Sequence, residues 1–139
     1  MKFLHTMLRV KDLERALDFY INKLGLVEVR RKDNEGAKFS LIFLATRPGE
    51  PEVELTYNWG QEDEYSTGQN FGHLAFEVDD IYKKCEQLES MGVTINRPPR
   101  DGYMAFIRSP DNHSVELLQK GDALPPDPKW STRENIGTW

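Results

Sequence analysis

An internal repeat constrains the fold of this chain more than any other feature of its sequence. Four segments recur in the same order in the two halves: 4–5 with 72–73, 10–13 with 78–81, 24–26 with 91–93, and 48–55 with 110–117. Duplication of one structural module explains these ordered matches better than chance does. We therefore predict a single domain over residues 1–139 that contains an internal repeat at 1–60 and 70–120, with a shortened hairpin in the second copy.

Each copy has the pattern of a strand, a helix and then further strands. Residues 2–10 alternate between two faces, as a strand does. Asp12 is the predicted N-cap of a helix with apolar spacing up to Leu24, and Gly25 is predicted to end it. The remaining elements are predicted in the same order: strands near 26–31, 38–45 and 52–58, a strand near 72–78, a helix from Asp80 to Gly92, and strands near 93–96, 103–108 and 114–119. This order predicts an α+β fold.

The segment 121–139, which we call the tail, departs from the repeat. It contains three prolines between 125 and 128 and shows no hydrophobic period. Trp130, Ile136 and Trp139 would be exposed if this C-terminal tail were loose, so we expect it to pack against a surface. A partner subunit is one candidate for that surface.

Composition excludes several classes of protein. The net charge is -5 and no stripe of Lys and Arg is available to neutralise phosphates, so a nucleic-acid partner is not expected. No apolar run approaches the roughly 20 residues that span a bilayer, so no membrane partner is expected either. Cys85 is the only cysteine, which we expect to be a buried small hydrophobe in a reducing compartment. These features predict a cytoplasmic protein.

Two histidines and two glutamates occupy matched positions in the repeat. His5 matches His73 near the start of each copy, and Glu54 matches Glu116 within a V-E-L context in the last strand. One such glutamate could simply face solvent, and one such histidine could be structural. The duplication of both residue types at matched positions instead favours a site. Two imidazoles and two carboxylates suit a divalent first-row metal, whereas a closed cysteine-type zinc site is excluded.

Alternation along the strands brings further polar residues to the predicted metal face. Arg9 lies four residues after His5, and Asn58 lies four residues after Glu54. A guanidinium and a carboxamide at these positions could bind a carboxylate of a ligand, although a surface arginine and a strand-ending asparagine explain the spacing equally well. His113 precedes the last strand and matches Pro51, so we expect it to be a surface residue.

Several motifs resemble glyoxalase I, of the vicinal-oxygen-chelate superfamily, over essentially residues 1–120. The motifs are LHTMLRV at 4–10, DFY at 18–20, LG at 24–25, ELTYNWG at 54–60, GH at 72–73 and SPDNHSVEL at 109–117. The resemblance implies two tandem βαβββ modules that form a curved, open mixed sheet around a metal. It also implies a homodimer with its active sites at the interface, where His5 and Glu54 come from one subunit and His73 and Glu116 from the other.

The reaction implied by the resemblance is lactoylglutathione lyase activity. The hemithioacetal of methylglyoxal and glutathione would be isomerised to S-D-lactoylglutathione by proton transfer through an enediolate, which detoxifies methylglyoxal. The family pattern makes Glu116 the leading base and Glu54 the second candidate. Arg9 and Asn58 match positions that hold the γ-glutamyl end of glutathione, and Arg100 is the candidate for the glycyl carboxylate. The compact length resembles the bacterial branch, which favours Ni or Co, with Zn possible.

Departures from the family pattern concern the thiol rather than the metal. Some members carry a basic residue where this chain has the uncharged Gln69. An extradiol dioxygenase or a thiol transferase of the fosfomycin-resistance type would use His, His and Glu without a residue like Glu54. A metal-free binding dimer like the bleomycin-resistance proteins would lack all four predicted ligands, so both alternatives are weaker.

Overall fold

Each copy of the repeat folds around a four-stranded mixed sheet. The computed structural model describes residues 1–139 and divides into two units, Met1–Ser66 and Thr67–Trp139. The strands of the first unit are β1 His5–Val10, β2 Val27–Asn34, β3 Phe39–Ala45 and β4 Glu52–Asn58. Their order in the sheet is β1-β4-β3-β2, with β1 parallel to β4 and the other neighbours antiparallel.

The second unit repeats this topology. Its strands are β5 Leu74–Val78, β6 Ile95–Arg97, β7 Met104–Arg108 and β8 Ser114–Gln119, in the order β5-β8-β7-β6. Strand β5 is parallel to β8, as β1 is to β4. The division between the units falls between the two predicted repeats. The predicted α+β fold class is confirmed, and most strand bounds agree with their predictions to within two or three residues.

The helical segment of each copy begins at its predicted aspartate cap and ends shortly before its predicted glycine, Gly25 or Gly92. Helix α1 spans Leu13–Leu17, and the Asp12 carboxylate accepts the Arg15 backbone N–H at 3.0 Å. Helix α2 spans Ile81–Ser90, and the Asp80 carboxylate accepts the Lys83 backbone N–H at 3.0 Å. Gly25 and Gly92, with φ of +100° and +79°, allow the left-handed turns that follow.

The prediction of one regular helix up to Leu24 was wrong in its second half. From Asp18 to Lys23 the backbone is π-helical, and the Leu24 N–H donates to the Phe19 carbonyl at 2.8 Å. The wider turn buries the adjacent rings of Phe19 and Tyr20 together, edge to face with centroids 5.0 Å apart. Apolar spacing alone does not distinguish this widened turn from a regular one.

Alternate positions of each strand supply the core of its unit. On β1, Leu8 and Val10 are buried, whereas His5, Met7 and Arg9 on the opposite face are exposed. Fully buried aliphatic side chains from the sheets and α2 complete the cores: Ile42, Leu44, Leu55, Ile81, Leu88, Ile107, Val115 and Leu117. Burial of each such side chain stabilises the fold by about 1.5–3 kcal/mol. Cys85 is also buried, as expected, and burial raises the pKa of its thiol to about 12.

The tail packs against the second unit of its own chain. It contains a short helix, α3 Pro128–Ser131, and Trp130 within it is fully buried. Ile136 and Trp139 remain partly exposed, so the expected burial is complete only at Trp130. No helix of the structure is both long enough and apolar enough to cross a bilayer.

Gly102 allows the tail to approach the loop between β6 and β7. A Cβ atom at Gly102 would lie 2.2 Å from the Leu124 carbonyl oxygen, and its φ is +69°. Gly121 has a similar φ of +74°, but a Cβ atom there would have no neighbour within 4 Å. Substitution of Gly121 therefore measures the free-energy cost of a side chain at positive φ, whereas substitution of Gly102 adds the cost of the close contact.

We predict that Gly102→Ala lowers the free energy of unfolding by about 3 kcal/mol, whereas Gly121→Ala lowers it by about 1 kcal/mol. Only the first substitution adds a clash with the tail to the strain of positive φ. Chemical denaturation of the two variants beside the wild type measures both values. Equal losses would show that the contact between Gly102 and Leu124 does not constrain the tail.

Candidate metal centre

The first histidine and glutamate meet on one face of the first sheet. The parallel register of β1 and β4 places Met7 opposite Glu54, so His5 is a diagonal neighbour of Glu54 on the same face. His5 Nε2 lies 2.9 Å from Glu54 Oε2. The strand pairing thus brings together two side chains that are far apart in sequence.

The second pair repeats this geometry in the second unit. His73 directly precedes β5, and Ala75 on that strand lies opposite Glu116 on β8. His73 Nε2 lies 3.0 Å from Glu116 Oε2. The equivalence that the sequence repeat suggested therefore extends to the distance between the nitrogen and oxygen atoms.

Both glutamates are largely buried beside more open histidines. The side chains of Glu54 and Glu116 are 12% and 13% exposed, whereas those of His5 and His73 are 36% and 42% exposed. A carboxylate that is removed from water needs a compensating partner of positive charge or several hydrogen bonds. Each pair therefore places a largely buried carboxylate beside a more exposed imidazole. This combination is suited to binding a cation.

A phenylalanine supports each imidazole, and the sequence reasoning missed both. Phe43 on β3 lies opposite Glu54 in register, and its ring is edge-on to His5 with centroids 5.8 Å apart. Phe106 on β7 lies opposite Glu116, and its ring is edge-on to His73 at 5.4 Å. The sequence feature that could have identified them is a phenylalanine at the matching position of the third strand in each copy. These rings limit the rotation of the histidines toward orientations that meet the carboxylates.

The donor atoms of each pair fit neighbouring ligands of a divalent first-row metal. Bonds of about 2.1 Å to nitrogen and oxygen place adjacent ligands of an octahedral ion about 3 Å apart. The observed separations are 2.9 and 3.0 Å. Each unit supplies one nitrogen and one carboxylate, and no group of three or more His, Cys, Asp or Glu side chains within the chain is arranged to hold a metal.

The predicted thiol-binding residues of the first unit share the face of its histidine. Arg9 is opposite Thr56 in register and is exposed, on the same face as His5 and Glu54. Asn58 lies two residues beyond Thr56, and its amide donates to the Tyr65 hydroxyl at 2.9 Å. The alternation argument for this group therefore agrees with the observed register.

Arg100 is held by the tail rather than by a predicted site residue. Its Nη1 donates to the Arg133 carbonyl at 2.8 Å and to Asn135 Oδ1 at 2.9 Å. The loop that carries Arg100 is braced by Arg97 and Asp101, whose Nη2 and Oδ2 atoms are 2.8 Å apart. Sequence spacing could not reveal these contacts, because the tail lies outside the repeat.

His113 is buried rather than a surface residue, so that expectation was wrong. Its Nδ1 lies 3.1 Å from Ser109 Oγ, and its backbone N–H donates to the same hydroxyl oxygen at 3.1 Å. Asn112 adopts a φ of +66°, and this left-handed turn folds His113 back against Ser109. The repeat could not predict this, because the first copy has Pro51 at the matching position.

Comparison with known proteins agrees with the motifs. A model of the Glyoxalase/Bleomycin resistance protein/Dioxygenase superfamily matches residues 2–117. The lactoylglutathione lyase of Escherichia coli is 41% identical over 130 residues, which is 88% of this chain and 96% of that protein. The corresponding protein of Haemophilus influenzae is 42% identical over 126 residues, at 86% and 93% coverage. The trypanothione-dependent glyoxalase I of Leishmania major has a TM-score of 0.81 at 36% identity, with 86% of each chain covered.

The brace of the Arg100 loop has a defined dependence on pH. Burial raises the pKa of Asp101, but the hydrogen bond from Arg97 and the backbone N–H groups of Met104 and Tyr103 outweigh it, and the pKa falls to about 2. A carboxyl group whose folded pKa lies below the unfolded value of 3.8 stabilises the fold above that value. The contribution is lost as the pH falls toward the folded pKa.

We predict that Asp101→Asn lowers the free energy of unfolding by a constant amount above about pH 5, and that the difference from the wild type shrinks between about pH 4 and pH 2. Denaturant titrations at a series of pH values measure the difference directly. A difference that stays constant down to pH 2 would mean that the Asp101 carboxylate does not brace the loop through its charge.

Proposed function

This chain belongs to the Glyoxalase/Bleomycin resistance protein/Dioxygenase superfamily, and we propose that it catalyses the lactoylglutathione lyase reaction. In this reaction, the hemithioacetal of methylglyoxal and glutathione becomes S-D-lactoylglutathione. The repeated pair of a histidine and a buried glutamate carries the proposal, because it supplies both metal ligands and a base. Relatives of that activity at 41% and 42% identity over most of the chain support it.

We propose that a homodimer assembles each metal site from two half-sites. His5 and Glu54 of one subunit would combine with the partner's His73 and the partner's Glu116. Each unit supplies only two donors, whereas a catalytic first-row metal takes at least three protein ligands. The nitrogen and oxygen donors suit Ni or Co, and Zn is also compatible with them. A metal at this position would supply positive charge that stabilises the two substrate oxygens as negative charge develops on them.

The difference between the two glutamates favours Glu116 as the base. Glu54 Oε1 accepts a hydrogen bond from Thr56 Oγ1 at 3.4 Å, in addition to the contact of its Oε2 with His5. The position that corresponds to Thr56 in the second copy is Leu118, which has no hydroxyl group. Glu116 therefore keeps one carboxylate oxygen without a hydroxyl donor, and that oxygen is available to accept a proton.

The carboxylate of Glu116 would move one carbon-bound proton. It would take the proton from the carbon that bears sulfur and return it to the neighbouring carbonyl carbon, while the hydroxyl proton passes from the first oxygen to the second. The result is a thioester and a new hydroxyl group, with no net gain or loss of atoms. Because the Glu116 side chain is largely buried, exchange of the abstracted proton with water would be limited.

The exposed residues of the first unit suit the charged end of the thiol. The Arg9 guanidinium makes no ion pair within the chain and is free to bind a carboxylate, beside the Asn58 carboxamide. Arg100 uses only Nη1 in its contacts with the tail, so its Nη2 and Nε can still donate to a glycyl carboxylate. The Leishmania major relative is trypanothione-dependent, so trypanothione should be tested beside glutathione.

We place this activity in the cytoplasm. Glutathione is abundant as a thiol in reducing compartments, and the single Cys85 is a free, buried thiol. Both features agree with a reducing location.

Removal and return of the metal test the proposed function. The protein is treated with a chelator, reloaded separately with Ni, Co or Zn, and assayed for thioester formation from methylglyoxal and glutathione. Activity that depends on added metal, with Ni or Co above Zn, is expected. A protein that binds metal but forms no thioester with glutathione or trypanothione would contradict the proposal.

We predict that Glu116→Gln lowers kcat by about 10²–10⁴-fold, because the amide cannot accept the proton. Glu35→Gln, in the exposed turn between β2 and β3, removes the same charge away from the site and serves as the control. Circular dichroism and gel filtration verify that both variants keep the fold and the oligomeric state. Full turnover by Glu116→Gln would eliminate Glu116 as the base.

We predict that Arg9→Ala raises KM for the hemithioacetal about tenfold, with a smaller change in kcat, since it removes a charged hydrogen bond to the thiol rather than to the reacting carbons. Arg47→Ala is the matched control, because Arg47 is exposed and paired only with Glu50 on the surface. Steady-state kinetics at constant ionic strength give both constants. An unchanged KM for Arg9→Ala would remove Arg9 from the thiol site.

A further inference from the structure

The tail is bonded to the second unit at successive points that lead toward His73. Its first contact is the Leu124 N–H, which donates to the Gly102 carbonyl at 3.0 Å. The Tyr82 hydroxyl then donates to the Pro125 carbonyl at 2.9 Å. The tail side of both contacts lies beyond residue 117, where the match to the family model ends.

A buried tryptophan anchors the middle of the tail. Trp130 is fully buried, and the guanidinium of Arg133 lies 4.6 Å from the centroid of its ring. The same guanidinium pairs with Glu89 of α2 at 2.7 Å. Burial of a whole indole stabilises the packing of the tail against the second unit by several kcal/mol, so this part of the tail is firmly held.

The last residues of the tail continue along β6 and β7. Asn96 exchanges two hydrogen bonds with Ile136: the Ile136 N–H donates to the Asn96 carbonyl at 2.8 Å, and Asn96 Nδ2 donates to the Ile136 carbonyl at 2.9 Å. Arg108 Nε then donates to the Thr138 carbonyl at 2.7 Å. These bonds determine where the next side chain, that of Trp139, is placed.

Trp139 lies beside the candidate metal centre. Its ring is tilted by 38° against Phe106, with centroids 6.1 Å apart, and Phe106 is the ring that supports His73. Trp139, Phe106, Phe71 and His73 line one cavity of about 490 Å³. The residue Trp139 is 41% exposed and lines that cavity, so its indole can contact a ligand there.

The matching position in the first unit has a different cover. The guanidinium of Arg30 lies over the Phe43 ring at 3.3 Å from its centroid, and it is paired with Glu52 at 2.6 Å. The two half-sites have equivalent histidines, glutamates and phenylalanines, but one is covered by a cation and the other by an indole. The indole therefore adds an aromatic surface to a cavity that Arg108, Asn112 and Ser114 also line, and the repeat alone would not provide this surface.

We propose that Trp139 is a specificity-determining residue, whose indole favours adducts in which the aldehyde carries a planar apolar group. Such a group would stack on the exposed face of the indole within the cavity at His73, whereas a methyl group is too small to cover it. This inference rests on the proposed function, since it names the substituent that the same site prefers. It requires no step beyond the isomerisation already described.

Two ratios, each measured on the wild type and on Trp139→Ala, test the inference. The first is kcat/KM with phenylglyoxal and glutathione, divided by kcat/KM with methylglyoxal and glutathione. The second is the affinity for S-benzylglutathione divided by the affinity for S-methylglutathione, measured by calorimetry without turnover. Loss of one aromatic stacking partner together with its apolar contact should lower each ratio about tenfold. Trp139→Phe should retain most of the preference.

Ile136→Ala is the matched control, because Ile136 is a partly exposed tail residue that does not line the cavity. It should leave both ratios unchanged, and thermal unfolding verifies that every variant is folded. Unchanged ratios in Trp139→Ala, equal lowering by Ile136→Ala, or a wild type that does not prefer the benzyl thioether would each overturn the inference. If no variant turns over either aldehyde, the proposed function fails, and the binding ratio still decides the role of Trp139.

Discussion

The contact between a histidine nitrogen and a buried glutamate oxygen, made across parallel strands, is the interaction on which the rest of the structure depends. The register of β1 with β4 creates it in the first unit, and the register of β5 with β8 creates it again in the second. A one-residue slip in either pairing would turn the glutamate to the core face and separate it from its histidine. The register of each sheet therefore determines where the histidine and glutamate meet, and the phenylalanine beside them supports that contact.

Much of this geometry could be predicted, because the two copies of the repeat can be aligned with each other. Matching His5 with His73 and Glu54 with Glu116 identified two equivalent pairs before any contact was known, and strand alternation brought Arg9 to the same face. What could not be predicted lies where the copies differ or where long-range packing decides. The π-helical turn at Phe19, the burial of His113 and the path of the tail depend on contacts that no local pattern encodes.

Divergence between the copies gives the two pairs of histidine and glutamate different surroundings. Thr56 donates to Glu54, whereas Leu118 at the matching position leaves Glu116 with a freer carboxylate oxygen. Arg30 covers one phenylalanine with a positive charge, and Trp139 covers the other with an indole. In the proposed reaction, the duplicated module would supply ligands of equal geometry, and its unequal surroundings would distinguish the base from the side of the site that contacts the indole.

Mixing two inactive variants tests the assembly of the site from two subunits most directly. One variant, His5→Ala with Glu54→Gln, lacks the first half-site, and the other, His73→Ala with Glu116→Gln, lacks the second. If the half-sites combine between subunits, about half of the randomly assorted dimers contain one intact site, and metal binding and lyase activity return after the variants are unfolded and refolded together. If the mixture stays as inactive as either variant alone while mixed dimers form, the four residues do not build one site across two subunits.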